Sequence, residues 1–281
     1  MGRGIWIRRM AASGAVALMA VPAAAQTFER IEIAATTDQP FTLAVYLARG
    51  VGEGPRPVIV ALHGCDGLLM NTGELGTRAK DWAARWTAAG YTVLFPESFR
   101  SRGLGPQCRV PLVERKAQPR ERARDVVRAA DWLAGQPNIA ADRMALVGWS
   151  HGGSTVLATV ARERPAPRTE FKTAIAFYPG CKSWAESERW SPRVPLQILM
   201  GSADDWTPPA PCRALAAKHK FPMTEYPDAY HGFDSPDSAV RTLTGLAVTT
   251  NPDGTAHVGT NPAARAAAIA DVTRILAEAL K

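Results

Sequence analysis

The hexapeptide GWSHGG at residues 148–153 constrains the fold of this chain more than any other stretch. It follows the apolar run 144–147 and opens an apolar-rich segment from 154 to 160, as a strand, a sharp turn and a helix would. The spacing fits G-x-S-x-G, in which a serine on a strained turn projects its hydroxyl from the end of a strand. The motif therefore predicts a nucleophile elbow at Ser150, and a plain strand-to-helix turn is the alternative.

The segments around this motif predict an α/β fold in a single domain of residues 26–281. Short, continuous apolar runs are typical of strands covered on both faces, and they alternate here with segments of helical period. The predicted strands are 58–62, 91–96, 143–147, 173–177, 196–200 and 223–226, and the predicted helices are 78–90, 119–135, 209–218 and one around 269–279. This order favours a mostly parallel central sheet with helices on both faces.

Three further segments complete the predicted architecture. Residues 28–35 and 41–48 alternate apolar and polar side chains, as an antiparallel N-terminal hairpin at the sheet edge would. The helix that begins at Pro119 carries many arginines, which we expect on a solvated face. Residues 245–261 show no helical period and are interpreted as a surface excursion without a readable function.

Residues 1–25 are typical of a cleaved secretory signal peptide. Three arginines precede an apolar run at 11–21, and three alanines at 23–25 offer a cleavage site. A retained membrane anchor is the alternative, but the run is too short to span a bilayer. We therefore expect a secreted or periplasmic protein without a stable membrane anchor.

Charge and composition narrow the class of partner. The whole chain has a formal net charge of +7, and loss of the signal segment would remove three arginines and no acids. No lysine or arginine block interleaved with aromatic residues is present, so no nucleic-acid partner is predicted.

Four cysteines occur in the segment that would be exported, and an oxidising compartment favours disulfides. Four cysteines allow three pairings. Each follows the end of a different predicted strand, and we predict Cys65 with Cys108 and Cys181 with Cys212. A zinc site is the alternative, but no C-x-x-C or closely spaced His and Cys ligands support it, so no metal is predicted.

An acid and a histidine follow the elbow in the order that a hydrolase triad requires. Asp204 and Asp205 stand in a turn after the strand 196–200, and His231 stands in a loop after the strand 223–226. Ser150 is then the candidate nucleophile, His231 the candidate base, and one of the two acids the partner of the imidazole. The other histidines have no matching context and are interpreted as structural or solvent-facing: His63, His219 and His257.

Loops at the carboxyl edge of the sheet supply the remaining candidate site residues. The turn HGCDG at 63–67 precedes the elbow, so the backbone N–H groups of Cys65 and of His151 are predicted to form an oxyanion hole. Arg100, Arg102 and Arg109 lie in the loop 97–111 and are candidates for binding an anionic substrate. The alternative for these arginines is a solvated basic loop.

The assembled motifs resemble the dienelactone hydrolase family of the α/β-hydrolases over most of residues 28–281. The similarity is carried by HGCDG at 63–67, GWSHGG at 148–153, GSAD at 201–204 with Pro208, and HGF at 231–233. Asp204 occupies the acid position of the family's G-x-x-D-x-x-x-P arrangement, which leaves Asp205 to cap the helix after Pro208. One departure is the serine at the elbow, where the enzymes that gave the family its name carry cysteine.

The resemblance implies a hydrolase of carboxylic esters or lactones that uses an acyl-enzyme on Ser150 and no cofactor. A serine hydroxyl needs an imidazole base because it is hardly ionised at neutral pH. The partner would be a small-molecule ester or lactone. Two alternatives remain: a peptidase of the prolyl-oligopeptidase kind, and a binding protein on the same scaffold that has lost catalysis.

Overall fold

The strand that leads to the predicted elbow at Ser150 lies in the interior of an eight-stranded sheet. The structure is a computed structural model that describes residues 27–281, and the predicted signal peptide at residues 1–25 lies outside the described part. Within it the strands are β1 (Glu29–Ile33), β2 (Leu43–Ala48), β3 (Arg56–Leu62), β4 (Thr92–Pro96), β5 (Ile139–Trp149), β6 (Thr173–Phe177), β7 (Leu196–Gly201), β8 (Met223–Tyr226), β9 (Arg241–Leu243) and β10 (Ala256–Val258).

The helices that connect these strands pack on the sheet. They are α1 (Thr77–Ala88), α2 (Pro119–Ala134), α3 (His151–Thr159), α4 (Lys182–Ala185), α5 (Pro209–His219) and α6 (Pro262–Ala279). Trp82 and Trp86 of α1 are buried, and their rings lie 6.2 Å and 6.0 Å from that of Trp149 at the end of β5. These aromatic side chains anchor the first helix to the elbow strand.

The strand order of the large sheet is β1-β2-β4-β3-β5-β6-β7-β8. The pairs β1–β2 and β2–β4 are antiparallel, and every later pair in the sheet is parallel. The predicted α/β fold, with an antiparallel N-terminal hairpin at the edge of a mostly parallel sheet, is confirmed. Because the carboxyl ends of parallel strands lie at the same edge of a sheet, the loops after β3, β5, β7 and β8 meet at that edge.

Two local expectations differ from the structure. The segment 245–261 includes β10, which pairs with β9 in a short antiparallel ribbon outside the main sheet. The arginines of α2 do not all face solvent, because Arg122 is 0% exposed and Arg128 is 8% exposed. The expectation rested on the charge of arginine, but Arg122 stands four residues before the buried Val126 and shares its helix face. Arg128 is covered by the connection between β1 and β2, where the Ile33 and Phe41 carbonyls accept its hydrogen bonds. Among residues 27–281, no helix is long and apolar enough to cross a membrane.

Candidate active site

Ser150 stands at a strained turn between β5 and α3. Its φ of 53° and ψ of −115° are unfavourable for a residue with a side chain, as expected for a serine that must project from a strand end. The turn is held by the Ser150 N–H, which donates to the Phe177 carbonyl at 2.9 Å. Glycine is required two residues before Ser150, because a Cβ at Gly148 would lie 2.4 Å from the Gly152 carbonyl oxygen.

The structure brings His231 and Asp204 together. His231 Nδ1 lies 2.8 Å from Asp204 Oδ2, and both residues are buried. The other carboxylate oxygen of Asp204 accepts hydrogen bonds from the backbone N–H groups of Trp206 and Thr207, each at 2.9 Å. These bonds fix the carboxylate so that it can orient the imidazole and stabilise its positive charge.

Asp205 points to a different partner. Its carboxylate accepts hydrogen bonds from the His257 N–H at 2.9 Å and lies 2.7 Å from His257 Nδ1, and it also accepts from Asn251 Nδ2. The expected cap on α5 is absent, because the residue preceding that helix is Pro208 and no side-chain cap is found there. Burial acts to raise the pKa of Asp205, but the hydrogen bonds from His257 and Asn251 together outweigh it, and the pKa is lowered.

We expect Asp204→Asn to lower kcat for ester hydrolysis by about 10²-fold or more, because the amide cannot stabilise the imidazolium and favours the wrong tautomer of His231. Asp205→Asn is the matched control, since the neighbouring acid contacts His257 instead. It should leave kcat within about threefold of the wild type, because asparagine keeps the shape of this side chain and the contacts it alters are to His257 and Asn251, not to His231. Steady-state kinetics with one activated ester checks both variants, and the reverse ranking would transfer the role to Asp205.

Ser150 and His231 line one cavity of about 390 Å³. Cys65 lines the same cavity, and His151 opens α3 directly after Ser150. The predicted oxyanion donors are therefore adjacent to the candidate nucleophile. Tyr178 and Trp206 complete this part of the wall, and their rings lie 4.5 Å and 4.6 Å from the His231 ring.

Both predicted disulfides are present. Cys65 is bonded to Cys108 and Cys181 to Cys212, so all four cysteines of the chain are paired. The first bridge joins the loop after β3 to the loop after β4 and is reinforced by the Gln107 N–H, which donates to the Cys65 carbonyl at 2.6 Å. It therefore holds the Cys65 backbone at the cavity.

The three candidate arginines occupy different places. Arg109 lines the cavity beside Ser150, whereas Arg100 donates to the Met70 carbonyl at 2.7 Å and lines a neighbouring cavity. Arg102 forms a two-pronged ion pair with Asp125 at 2.6 Å and 2.7 Å and does not line the cavity of Ser150. The sequence could not show which of the three faces the cavity. The 3₁₀ turn Arg100–Arg102 directs the side chains of Arg100 and Arg102 to different partners.

The cavity also contains two arginines that sequence reasoning missed. Arg78 lies in the first turn of α1 and Arg241 lies in β9. Both line the cavity with Ser150. Each is oriented by a serine after His231, since Arg78 donates to Ser235 Oγ and Arg241 to Ser238 Oγ. The only sequence feature that could have pointed to these two arginines is the pair of serines after HGFD, and serines do not by themselves indicate a distant arginine.

The segment that contains β9 and β10 forms the opposite wall. Leu243, Leu246 and Val258 contribute apolar surface to the cavity. The segment is tied to three site loops: Ala247 N–H donates to the Cys108 carbonyl, Thr250 N–H to the Asp205 carbonyl, and Gly259 N–H to the His231 carbonyl. We call residues 241–259 the wall segment.

Asp234, three residues after His231, is a further residue whose importance was missed. Its carboxylate is fully buried and accepts hydrogen bonds from the indole N–H groups of Trp82 and Trp149, each at 2.8 Å, and from the Tyr178 hydroxyl. Burial raises the pKa of Tyr178 well above its usual value, so its phenol remains a donor. Arg78 Nε lies 3.5 Å from the same carboxylate.

A strained serine elbow, a mostly parallel sheet and an Asp–His pair on later loops define an α/β-hydrolase. A sequence model of the dienelactone hydrolase family matches residues 43–280. The chain therefore belongs to the dienelactone hydrolase family and is a hydrolase of that family. A comparison with curated protein sequences finds no match.

Solved structures show the same fold at low sequence identity. A dienelactone hydrolase-like promiscuous phosphotriesterase from metagenomic libraries has a TM-score of 0.65 and 18% identity, covering 92% of this chain and 100% of that one. Thermogutta terrifontis esterase 2, phosphorylated by paraoxon, has a TM-score of 0.55 and 17% identity, covering 75% and 86%. Porphyromonas gingivalis dipeptidyl peptidase 4 has a TM-score of 0.54 and 18% identity, covering 74% and 33%.

Proposed function

We propose that this protein is an exported serine hydrolase that cleaves carboxylic esters or lactones through an acyl-enzyme on Ser150. The observation that carries the proposal is the buried Asp204–His231 pair, whose histidine lines one cavity with a serine on a strained elbow. Two disulfides support export, because such bonds persist in oxidising compartments.

The reaction would proceed by acyl transfer. Ser150 Oγ attacks the ester carbonyl while His231 takes its proton, and the proton then passes to the leaving alcohol. The carbonyl oxygen becomes negatively charged and is stabilised by the backbone N–H groups of Cys65 and His151. Water then attacks the acyl-enzyme by the same steps and releases the acid.

The cavity wall supports a substrate with an apolar body and a negative charge. Leu243, Leu246 and Val258 offer apolar contact, while Arg109 and Arg241 place guanidinium groups at the same cavity. Both arginines are exposed, so their attraction for a carboxylate is screened by water and salt. Selectivity for charge should therefore be modest.

We expect Arg109→Ala to reduce the preference for a carboxylate-bearing ester over its neutral analogue by several-fold in kcat/KM. An exposed contact of this kind contributes about 1 kcal/mol and weakens as salt rises. Arg100→Ala is the matched control, because it changes an exposed arginine in the same loop that does not line this cavity. Equal salt dependence for both esters, and no change in their ratio in Arg109→Ala, would leave Arg109 without a role in binding.

Labelling with a fluorophosphonate ester tests the proposed function. An activated Ser150 attacks phosphorus and displaces fluoride, so the wild type should gain a stable phosphonyl adduct on the peptide that contains Ser150. The denatured protein is the control for non-specific reaction. Wild-type protein that neither labels nor hydrolyses a panel of p-nitrophenyl esters would favour a non-catalytic binding protein, and cleavage of peptides but not esters would favour a peptidase.

A further inference from the structure

Arg122 of α2 is a fully buried charged residue, and its contacts indicate a role beyond stabilising the fold. Its side chain is 0% exposed, and no ion pair with a carboxylate is found for it among residues 27–281. Burial lowers the pKa of Arg122 to about 10, although Asp125 and Glu97 oppose this effect at longer range. A buried guanidinium held mainly by neutral groups is costly in free energy.

The two partners of this guanidinium belong to the two segments of the proposed oxyanion hole. Its Nη2 donates to the His63 carbonyl at 2.9 Å, two residues before Cys65. Its Nη1 lies 2.7 Å from Nδ1 of His151, the residue whose backbone N–H is the second proposed donor. One planar group therefore bridges the loop after β3 and the first residue of α3.

The chemistry of these contacts fixes the state of His151. A guanidinium has donors only, so His151 Nδ1 must accept and the ring is neutral with its proton on Nε2. Burial and the positive charge of Arg122 both lower the pKa of His151 well below its usual value. Near neutral pH Arg122 is therefore charged and His151 neutral, which is the combination that the bridge requires.

The bridged segments are in direct contact. A Cβ at Gly152 would lie 2.1 Å from the Leu62 carbonyl oxygen and 2.6 Å from that of His63. Phe99 covers the other side, since its ring centroid lies 5.0 Å from the Arg122 guanidinium carbon and 4.6 Å from the His63 ring. Arg122 is therefore held in one orientation, and so are the His63 peptide group and the His151 ring that it binds.

From this geometry we infer that Arg122 is a positioning residue that sets the spacing between the two oxyanion donors. The role rests on the proposed acyl transfer. An oxyanion donor is effective only about 2.7–3.1 Å from the place where negative charge develops. Because this charge exists in the transition state and not in the bound ester, loss of the bridge should lower kcat and leave KM nearly unchanged.

Arg122→Met and Arg122→Lys test the role, with Arg128→Met as the matched control. Arg128 is a buried arginine on the same helix that donates to the Ile33 and Phe41 carbonyls, away from the cavity. Kinetics with p-nitrophenyl butyrate should show kcat lowered about 10–100-fold in Arg122→Met, less than the loss of a whole oxyanion donor. Arg122→Lys, which can still reach one acceptor, should recover part of this loss, and KM should stay within about threefold.

A trifluoromethyl ketone separates positioning from general destabilisation. It adds to the Ser150 hydroxyl, the proton passes to His231, and the ketone oxygen becomes an oxyanion in the hole. Its inhibition constant should rise in Arg122→Met by about the same factor as kcat falls, and it should be unchanged in Arg128→Met. Melting temperatures of all variants show how much stability each arginine contributes.

Several outcomes would overturn the role of Arg122. One is a fall in melting temperature with kcat and inhibitor affinity near wild type, and another is an equal loss of activity in Arg128→Met. Failure of both Arg122 variants to fold would make the residue a folding requirement instead. A wild type that hydrolyses no ester and does not react with fluorophosphonate would reject the proposed function itself, which is a distinct result.

Discussion

Replacing Ser150 with alanine is expected to lower kcat for ester hydrolysis by about 10⁴-fold or more, because triad members act as a unit and no other group supplies the nucleophile. Folding should be unaffected. Alanine adopts the strained backbone conformation no less readily than serine, and the backbone hydrogen bond to Phe177 does not involve the hydroxyl. Initial rates with p-nitrophenyl butyrate and circular dichroism of the purified variant are the measurements.

Ser202→Ala is the control for this variant. The hydroxyl of Ser202 accepts a hydrogen bond from the Asp228 N–H and does not line the cavity of Ser150. Its kcat should stay within about twofold of the wild type, since it is an exposed position away from the reacting atoms. Activity above a tenth of wild type in Ser150→Ala would show that the elbow serine is not the nucleophile.

Replacing Asp234 with alanine is expected to have the largest effect on stability, a loss of about 3–5 kcal/mol. The substitution removes a buried charge, leaves two indole N–H groups and a phenol without their acceptor, and deprives Arg78 of its ion-pair partner. At this chain length such a loss lowers the melting temperature by roughly 10 °C. Thermal unfolding followed by tryptophan fluorescence is suitable, because two of the donors are tryptophans.

Asp142→Ala provides the comparison for Asp234, since Asp142 is an exposed acid on β5. It should change the free energy of unfolding by less than about 0.5 kcal/mol. Asp234→Asn keeps the shape but presents an NH₂ group to donors, so an intermediate loss is expected. A melting temperature of Asp234→Ala within about 2 °C of the wild type, less than 1 kcal/mol on the same scale, would contradict the role of this carboxylate.

The parts of the molecule that are governed by local sequence were predictable. The continuous apolar run 173–177 becomes β6 with the same limits, and the alternation around residue 38 becomes the edge hairpin. The disulfide pairs followed from the positions of the cysteines after successive strands. For the site, the spacing of the GWSHGG motif and the order of acid and histidine identified side chains that the fold does bring to one edge.

The interactions that depend on distant segments were not predictable. Arg122 was expected on the surface because arginine is charged, but it is buried against the turn after β3 and the start of α3. Asp234 lies beside His231 in the sequence, yet its donors come from α1, β5 and the loop after β6. In both cases the partners of the buried polar group are supplied by tertiary contacts, which hydrophobic periodicity does not report.

The wall segment has a consequence for how this enzyme could acquire new specificities. Its main chain is bonded at three points to the loops that carry Cys108, Asp205 and His231, whereas its side chains form the apolar face of the cavity. Substitution of Leu243 or Leu246 can therefore reshape the pocket while the backbone scaffold stays in place. Insertions behave differently, because a change of length between two anchors pulls on the loop of the candidate base. Evolution of this pocket should therefore proceed by side-chain exchange, and the number of residues between the anchors at Thr250 and Gly259 should be kept.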